Sequence, residues 1–281
     1  MKILLISDIH WGFSHNTARI WTKYVRKIAD FDVLVIAGDL ASHRPEQFAR
    51  GLRFFRAFAG DKPILMVRGN HDLWGGSRGL EDEHDAALLA SGVRSLDDSR
   101  IGASLASTLL FCNPDESPCA VDRISLSGST VAMGSKRGPV VVDDVLFCGF
   151  DGWYAKEPTT NDSMRINYQT LGFSSFAEFS QYLNRRADNQ LYRAIDANFT
   201  VKDAGLARQS VLVTHLPIAP GFGNPDHCAN INMIRGVAGR FDCLTTGHIH
   251  TVKVDGALIQ GTRLYAAGGD YDRPSHLIFE V

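Results

Sequence analysis

The chain has 281 residues, 44% hydrophobic and 21% charged, which is the composition of an ordinary globular protein with ample material for a core. Its formal net charge is −2 at pH 7, so no bulk positive field draws it to nucleic acid or to an anionic membrane. No apolar stretch approaches the roughly 18 residues of a membrane span, and the opening run Met1 to Ile6 stops at Ser7-Asp8 without a small-residue cleavage site, unlike a signal peptide.

Ile3 to Ile6 is a continuous apolar run, the mark of a strand covered on both faces, and it delivers Asp8-Ile9-His10. From Asn16 to Ala29, Ile20, Tyr24 and Ile28 recur at helical spacing. Val33 to Ile36 reads as the second strand and ends at Gly38-Asp39. Pro45 opens a helix with Phe48, Leu52 and Phe55 on one face, closed by Gly60. Ile64 to Val67 is a third strand, and Arg68-Gly69-Asn70-His71-Asp72 follows it directly. This alternation predicts βαβαβ with right-handed crossovers and a parallel sheet.

Glu81 to Ala90 reads as a further helix. Strands are predicted at Thr108 to Phe111, near Ile124 to Leu126 and at Val145 to Cys148, a second group stacked on the first. Residues 153–208 are polar, with Phe173, Phe176 and Phe179 at three-residue spacing followed by Tyr182, Leu183, Leu191, Tyr192 and Ile195. They are expected to form a mainly helical insertion or lid within a single domain spanning 1–281. Val211 to Val213 ends in Thr214-His215, and Cys243 to Thr245 precedes Gly247-His248-Ile249-His250. Ala257 to Ile259, Leu264 to Ala266 and Leu277 to Phe279 alternate with glycines as hairpins would. The five cysteines include no Cys-x-x-Cys pair, and Cys112, Cys148 and Cys243 lie in apolar runs as small core residues. That usage fits a reducing compartment, and the chain is expected to be cytoplasmic.

Five strand ends thus carry Asp8 and His10, Asp39, Asn70 with His71, His215, and His248 with His250, which predicts one cluster on one edge of one sheet. Ligands bind at the carboxyl ends of strands in open α/β sheets. The donors are oxygen and imidazole without thiolate, a set suited to manganese, iron, zinc or nickel.

The order D-x-H, G-D, G-N-H-D, H and G-H-x-H, running from Lys2 to His250, resembles the calcineurin-like metallophosphoesterase superfamily. The resemblance implies a four-layer α/β/β/α sandwich of two mixed sheets with a dinuclear metal centre between the sheet ends. Carried over by motif, Asp8, His10 and His250 would hold one divalent ion, Asn70, His215 and His248 the other, and Asp39 would bridge them. His71 matches the family's catalytic histidine, which stabilises developing charge and protonates the leaving oxygen. Two ions about 3.5–4 Å apart can activate a water for in-line attack on phosphorus.

The second block reads Gly38-Asp39-Leu40-Ala41-Ser42-His43-Arg44. Phosphoprotein phosphatases of the superfamily have an Asp where Ser42 stands and a phosphate-binding Arg where His43 stands. His71 would then be oriented by Asp72 or by a backbone carbonyl. The reading favoured here is a phosphodiesterase acting on a phosphorylated small molecule or nucleotide-like substrate. A phosphomonoesterase or phosphoprotein phosphatase is the alternative, and a non-catalytic scaffold is disfavoured because no ligand is missing. Trp11, His43 and Trp74 are candidate substrate contacts, the tryptophans either walling a pocket or anchoring loops. Arg68 is expected in a surface ion pair, Asp151 at the start of the insertion, and the loop Pro217 to Asn232 beside the pocket. Tyr271-Asp272 reads as a turn.

Overall fold

The structure is a computed structural model that describes residues 1–41, 44–73, 80–97, 121–126, 137–155, 166–219, 228–229 and 233–281. The strand Thr108 to Phe111, Ser42, His43 and Trp74 lie outside the described residues. The first sheet contains β1 (Lys2–Ile6), β2 (Val33–Ala37), β3 (Ile64–Val67), β4 (Val93–Ser95) and β12 (Leu277–Glu280), in the order β12-β1-β2-β3-β4. Strands β1 to β4 run parallel, and β12 lies antiparallel along β1 with Lys2 opposite Glu280. The second sheet contains β5 (Asp122–Ile124), β6 (Val140–Val142), β7 (Val145–Phe150), β8 (Gln209–Thr214), β9 (Cys243–Thr246), β10 (Val254–Ile259) and β11 (Thr262–Ala266). Its order is β10-β11-β9-β8-β7-β6-β5, with β7, β8, β9 and β11 parallel.

Side-chain alternation along these strands builds the layers. Ile3 and Leu5 of β1, Val33 and Val35 of β2, and Leu65 and Val67 of β3 point to one face, where they meet Val145, Phe147, Val211, Val213 and Cys243 of the second sheet. Leu4, Ile6, Leu34, Ile36, Ile64 and Met66 point to the other face, against α1 (Thr17–Tyr24), α2 (Pro45–Ala59) and α3 (Leu80–Ala90). The second sheet turns Leu146, Cys148, Phe150, Leu212 and Leu244 outward onto α4 (Phe176–Asp203). These strands are buried on both faces, which is why they read as unbroken apolar runs rather than as alternating ones. The arrangement is the four-layer α/β/β/α sandwich with a helical insertion.

Ser175 caps α4, its Oγ accepting from Glu178 N at 3.1 Å, and Phe176, Phe179, Leu183, Ala187, Leu191 and Ala194 form its buried stripe. Two expectations change. The helix begun at Thr17 becomes a 3₁₀ turn at Val25–Lys27 and ends at an extended Ile28. Leu277 to Phe279 is not part of a C-terminal hairpin: β10 and β11 pair as one, but β12 crosses to the edge of the first sheet. Its alternation, with Leu277 and Phe279 buried, fits either pairing, so only long-range contact decides.

Candidate metal centre

The predicted residues converge, from two sheets and not from one. Asp8 and His10 follow β1, Asp39 follows β2, and Asn70 and His71 follow β3; His215 follows β8, and His248 and His250 follow β9. The two sheets present their carboxyl strand ends on the same side of the sandwich, and the apolar inner faces behind them set the spacing.

Backbone geometry explains why glycine precedes so many of these residues. A Cβ on Gly38 would lie 2.4 Å from His215 Nδ1, and one on Gly247 would lie 2.5 Å from the Ala37 carbonyl oxygen. Asp8, His10, Asp39 and His248 all have positive φ, between 49° and 68°. Asp and His tolerate this region better than most residues, and such strain concentrates at functional sites.

The loops are cross-pinned. Ile9 N and His10 N donate to the Asp39 carbonyl at 2.9 and 3.0 Å, continuing the β1–β2 pairing beyond the strands. His71 N donates to Asp39 Oδ1 at 2.9 Å, and His248 N donates to Asp8 Oδ2 at 3.0 Å. His215 Nδ1 lies 2.8 Å from the Ala37 carbonyl and so links the two sheets. That bond puts a proton on Nδ1 and turns Nε2 inward, where it would offer a lone pair to a cation once its own proton is lost.

Inside this frame the side-chain donors form overlapping groups: Asp8, His10 and His250; His10, Asp39 and His71; and Asp39, His215 and His248, with donor atoms within 4.8 Å of one another in each. His250 Nε2 is 3.3 Å from both Asp8 Oδ1 and His10 Nε2. His215 Nε2 is 3.0 Å from Asn70 Oδ1 and 3.4 Å from Asp39 Oδ2. Asp39 Oδ2 is also 3.8 Å from His71 Nε2 and 4.0 Å from His10 Nε2. Asp8 Oδ1 and Asp39 Oδ2 are buried and accept no hydrogen bond among the described residues. Buried carboxylate oxygens without donors are costly unless a cation meets them. The donor set therefore fits divalent metal ions.

Electrostatics in the metal-free state agree with that reading. Burial opposes the charge on Asp39, yet His215 and His71 outweigh it and hold its carboxyl well below the usual range. Burial likewise works against protonated His215, but Asp39 and Asp8 raise it to about 9. Burial and the neighbouring His215 depress His248 to about 3, and burial depresses His71 to about 3 despite Asp39. His250 is raised by Asp8 against the effect of burial, and its Nδ1 lies 2.9 Å from Asp270 Oδ1. A carboxylate behind a ligand histidine fixes the ring and increases its basicity.

Several expectations are corrected here. Asp72 does not orient the His71 ring: its carboxylate accepts from Ala41 N at 3.0 Å, Gly69 N at 2.9 Å and Leu40 N at 3.4 Å, which ties the β2 and β3 loops together. Arg68 is not in a surface pair. It is buried, with its guanidinium 2.6 Å from Asp97 and 3.4 Å from Asp151, and Arg186 of α4 reaches Asp151 at 2.7 Å. The cause is that Arg68 leaves β3 between the sheets, where charge persists only when paired. Trp11, by contrast, keeps one of its two readings: it is buried at 7% exposure against Phe54 and Phe55, as an anchor of its loop would be. One residue beside the centre was read only as a turn. Tyr271 stacks on His10 with centroids 4.3 Å apart, 22° from parallel, and sits 5.1 Å from His250. An aromatic next to a polar turn gives no periodic signal, so only the fold reveals it.

The layered fold is that of metallophosphoesterase-type structures. Residues 1–128 match the family model described as calcineurin-like phosphoesterase, the family that the motifs resemble. No curated protein matches the chain by sequence. Among solved structures, the chain is similar to a phosphopantetheinyl hydrolase from Mycobacterium tuberculosis, at 15% identity and a TM-score of 0.62, covering 98% of this chain and 95% of that one. It is similar to a calcineurin-like phosphoesterase from Bacillus subtilis at 11% identity and a TM-score of 0.50, over 99% and 90% of the two chains. A 5′-nucleotidase from Staphylococcus aureus, described as putative in its structure's name, matches at 14% identity and a TM-score of 0.52, over the whole of this chain but 51% of that one. These likenesses concern the fold. No helix among the described residues is long and apolar enough to cross a membrane.

Proposed function

We propose that the chain is a metal-dependent phosphoester hydrolase, with a preference for phosphodiesters, built as one domain over 1–281 with residues 153–208 inserted. The observation that carries this reading is Asp39: a buried carboxylate with three imidazole nitrogens 3.4–4.0 Å from one oxygen. In it, Asp8, His10 and His250 would hold one divalent ion, Asn70, His215 and His248 would hold a second, and Asp39 would serve both. Bound there, such ions supply Lewis acidity, orientation of the phosphoryl oxygens and a nucleophile at neutral pH.

The chain's own residues do the rest. Buried Asp8 and Asp39 carry two negative charges against four on the ions, so an ester phosphate is attracted into the site. His71 has a ring centroid 4.4 Å from that of His10 and stands at the edge of the cluster. As a neutral ring it offers one N–H to the leaving oxygen, and an anionic ester beside it favours the imidazolium that gives up a full proton. Asp72, by gripping the backbone of the Asp39 and Asn70 loops, positions both without touching substrate.

Two proteins of similar fold support the substrate class in general terms, one a phosphopantetheinyl hydrolase and one described as a putative 5′-nucleotidase. The test is hydrolysis of bis(p-nitrophenyl) phosphate against p-nitrophenyl phosphate by chelator-stripped protein reconstituted with manganese. Faster diester turnover is expected. A monoester preference would replace the diesterase reading with a phosphatase, and absence of both activities in folded, metal-loaded protein would leave a non-catalytic scaffold.

A further inference from the structure

The aromatic pair Phe13 and Tyr271 has no part in holding a metal, yet it lies against the centre. Tyr271 places one ring face on His10, and Phe13 leans on Tyr271 with centroids 4.4 Å apart and planes at 40°. Phe13 lies 6.4 Å from His10, so the three rings turn a corner and do not form a column. Tyr271 is 6.3 Å from the ring of His71, the residue placed at the leaving oxygen. Phe13 is 52% exposed.

The pair is held in place. Ser14 Oγ donates to Asp272 Oδ1 at 3.0 Å, tying the loop that carries Phe13 to the turn that carries Tyr271. Asp270 N and Arg273 N exchange hydrogen bonds with each other's carbonyls at 3.2 and 2.6 Å, which closes the turn on either side of Tyr271. The result is an aromatic corner that reaches solvent at Phe13 and the proposed ligand histidines at Tyr271.

We propose that Phe13 and Tyr271 form a stacking subsite for a planar aromatic group esterified to the substrate phosphate, as in a nucleotide. The proposal rests on the phosphoester reading above, which puts phosphorus at the cluster and the ester group beside His71. Flat rings favour a flat partner, because offset stacking and edge contact both exceed what an alkyl chain gains on the same area. Stacking of a base on aromatic side chains is sequence-tolerant, so the subsite selects a nucleobase-like plane more than one particular base.

The test is calorimetric titration of the full, metal-reconstituted chain with three non-hydrolysable methylene phosphonates: the analogues of adenosine 5′-monophosphate, of ribose 5-phosphate and of n-hexyl phosphate. The adenosine analogue is expected to bind about 10-fold or more tightly than the ribose analogue, and the hexyl analogue to fall well below it. Phe13→Ala and Tyr271→Ala should each erase most of that ratio while leaving the ribose analogue's affinity within about twofold, and Tyr271→Phe should preserve it. Equal affinity for adenosine and ribose analogues, a ratio unmoved in both alanine variants, or a hexyl analogue binding as well as adenosine would overturn the subsite. Hydrolysis of bis(p-nitrophenyl) phosphate and of p-nitrophenyl phosphate by the same samples separates the two ideas, turnover meaning activity on either ester. Turnover without adenosine preference refutes the stacking subsite alone, while adenosine preference without turnover upholds the subsite and refutes the hydrolase.

Discussion

Gly69→Ala is the smallest change that strikes the centre without touching a donor atom. A Cβ there would lie 2.0 Å from Asp39 Oδ1, 2.5 Å from Asp39 N and 2.7 Å from Asp39 Cγ. The backbone of Asp39 cannot yield cheaply, because its carbonyl accepts from Ile9 N and His10 N and its φ is already 52°. The carboxylate must therefore retreat and lose the hydrogen bond from His71 N. Overpacking of this kind costs about 1–3 kcal/mol, and a hydrogen bond to a charged acceptor about 1.5–3 kcal/mol. The combined cost of about 2.5–6 kcal/mol is a large share of an ordinary domain's stability. Because Asp39 is the proposed bridge, affinity for manganese should fall by about 100-fold or more, the upper end of what disturbing a ligand's support costs. Gly236→Ala is the control: a Cβ there meets only Ile195 Cδ1, at 3.7 Å, within a short helical turn, and should cost nothing or stabilise by up to about 1 kcal/mol. Urea unfolding of metal-free protein and calorimetric manganese titration read both effects. A Gly69→Ala protein with wild-type midpoint and wild-type metal affinity would refute the reasoning.

His71→Ala should keep its metal within a few-fold by titration and lose about 10²–10⁴ in turnover, whereas loss of metal in that variant would make His71 a ligand. Asp270→Asn should weaken metal binding about 10–100-fold, because His250 loses its orienting carboxylate; unchanged affinity would remove Asp270 from the site. Arg68→Ala removes the 2.6 Å contact to Asp97, which keeps Arg137 at 2.9 Å and Arg186 at 3.6 Å, and should destabilise by about 1.5–3 kcal/mol in denaturant titration. The metal-free protein should be most stable near neutral pH. His215, raised to about 9, stabilises fully below the unfolded value of about 6.5, and that contribution disappears as pH climbs through 9. His71 and His248, depressed to about 3, act in the opposite sense, their contribution being present above about 6.5 and lost as pH falls toward 3. Denaturant midpoints across pH 4–10 read this profile, and added metal should raise the alkaline side, since binding requires deprotonated His215.

Much of this molecule is legible before folding because its strands are short, fully apolar and punctuated by ligand-bearing loops. Ile3 to Ile6, Val33 to Ile36, Ile64 to Val67 and Val211 to Val213 all stand within a residue or two of the observed strands. The donors at their ends then belong together once a parallel sheet is granted. The run itself does not reveal which sheet a strand joins. The sequence reading placed the donors on one edge of one sheet, but the inner faces of two sheets are equally apolar, and β8 and β9 belong to the second. The burial of Arg68, and the choice between the two readings of Trp11, depend on long-range contact in the same way. An arginine or tryptophan after a strand carries no sign of burial, and their positions follow from Asp97, Asp151, Phe54 and Phe55, which are distant in sequence or on another element. Tyr271 is the clearest case, since its partner His10 is met only after β12 closes onto β1.

Metal stoichiometry is the measurement that tests the account most directly. Chelator-stripped protein, reconstituted with manganese and freed of excess ion, should retain two ions per chain by elemental analysis. Asp8→Ala should retain one, and Asp39→Ala should hold neither tightly, because the bridge serves both. A wild-type chain that retains no ion, or an Asp39→Ala chain that retains two as firmly as wild type, would contradict a dinuclear centre built on Asp39.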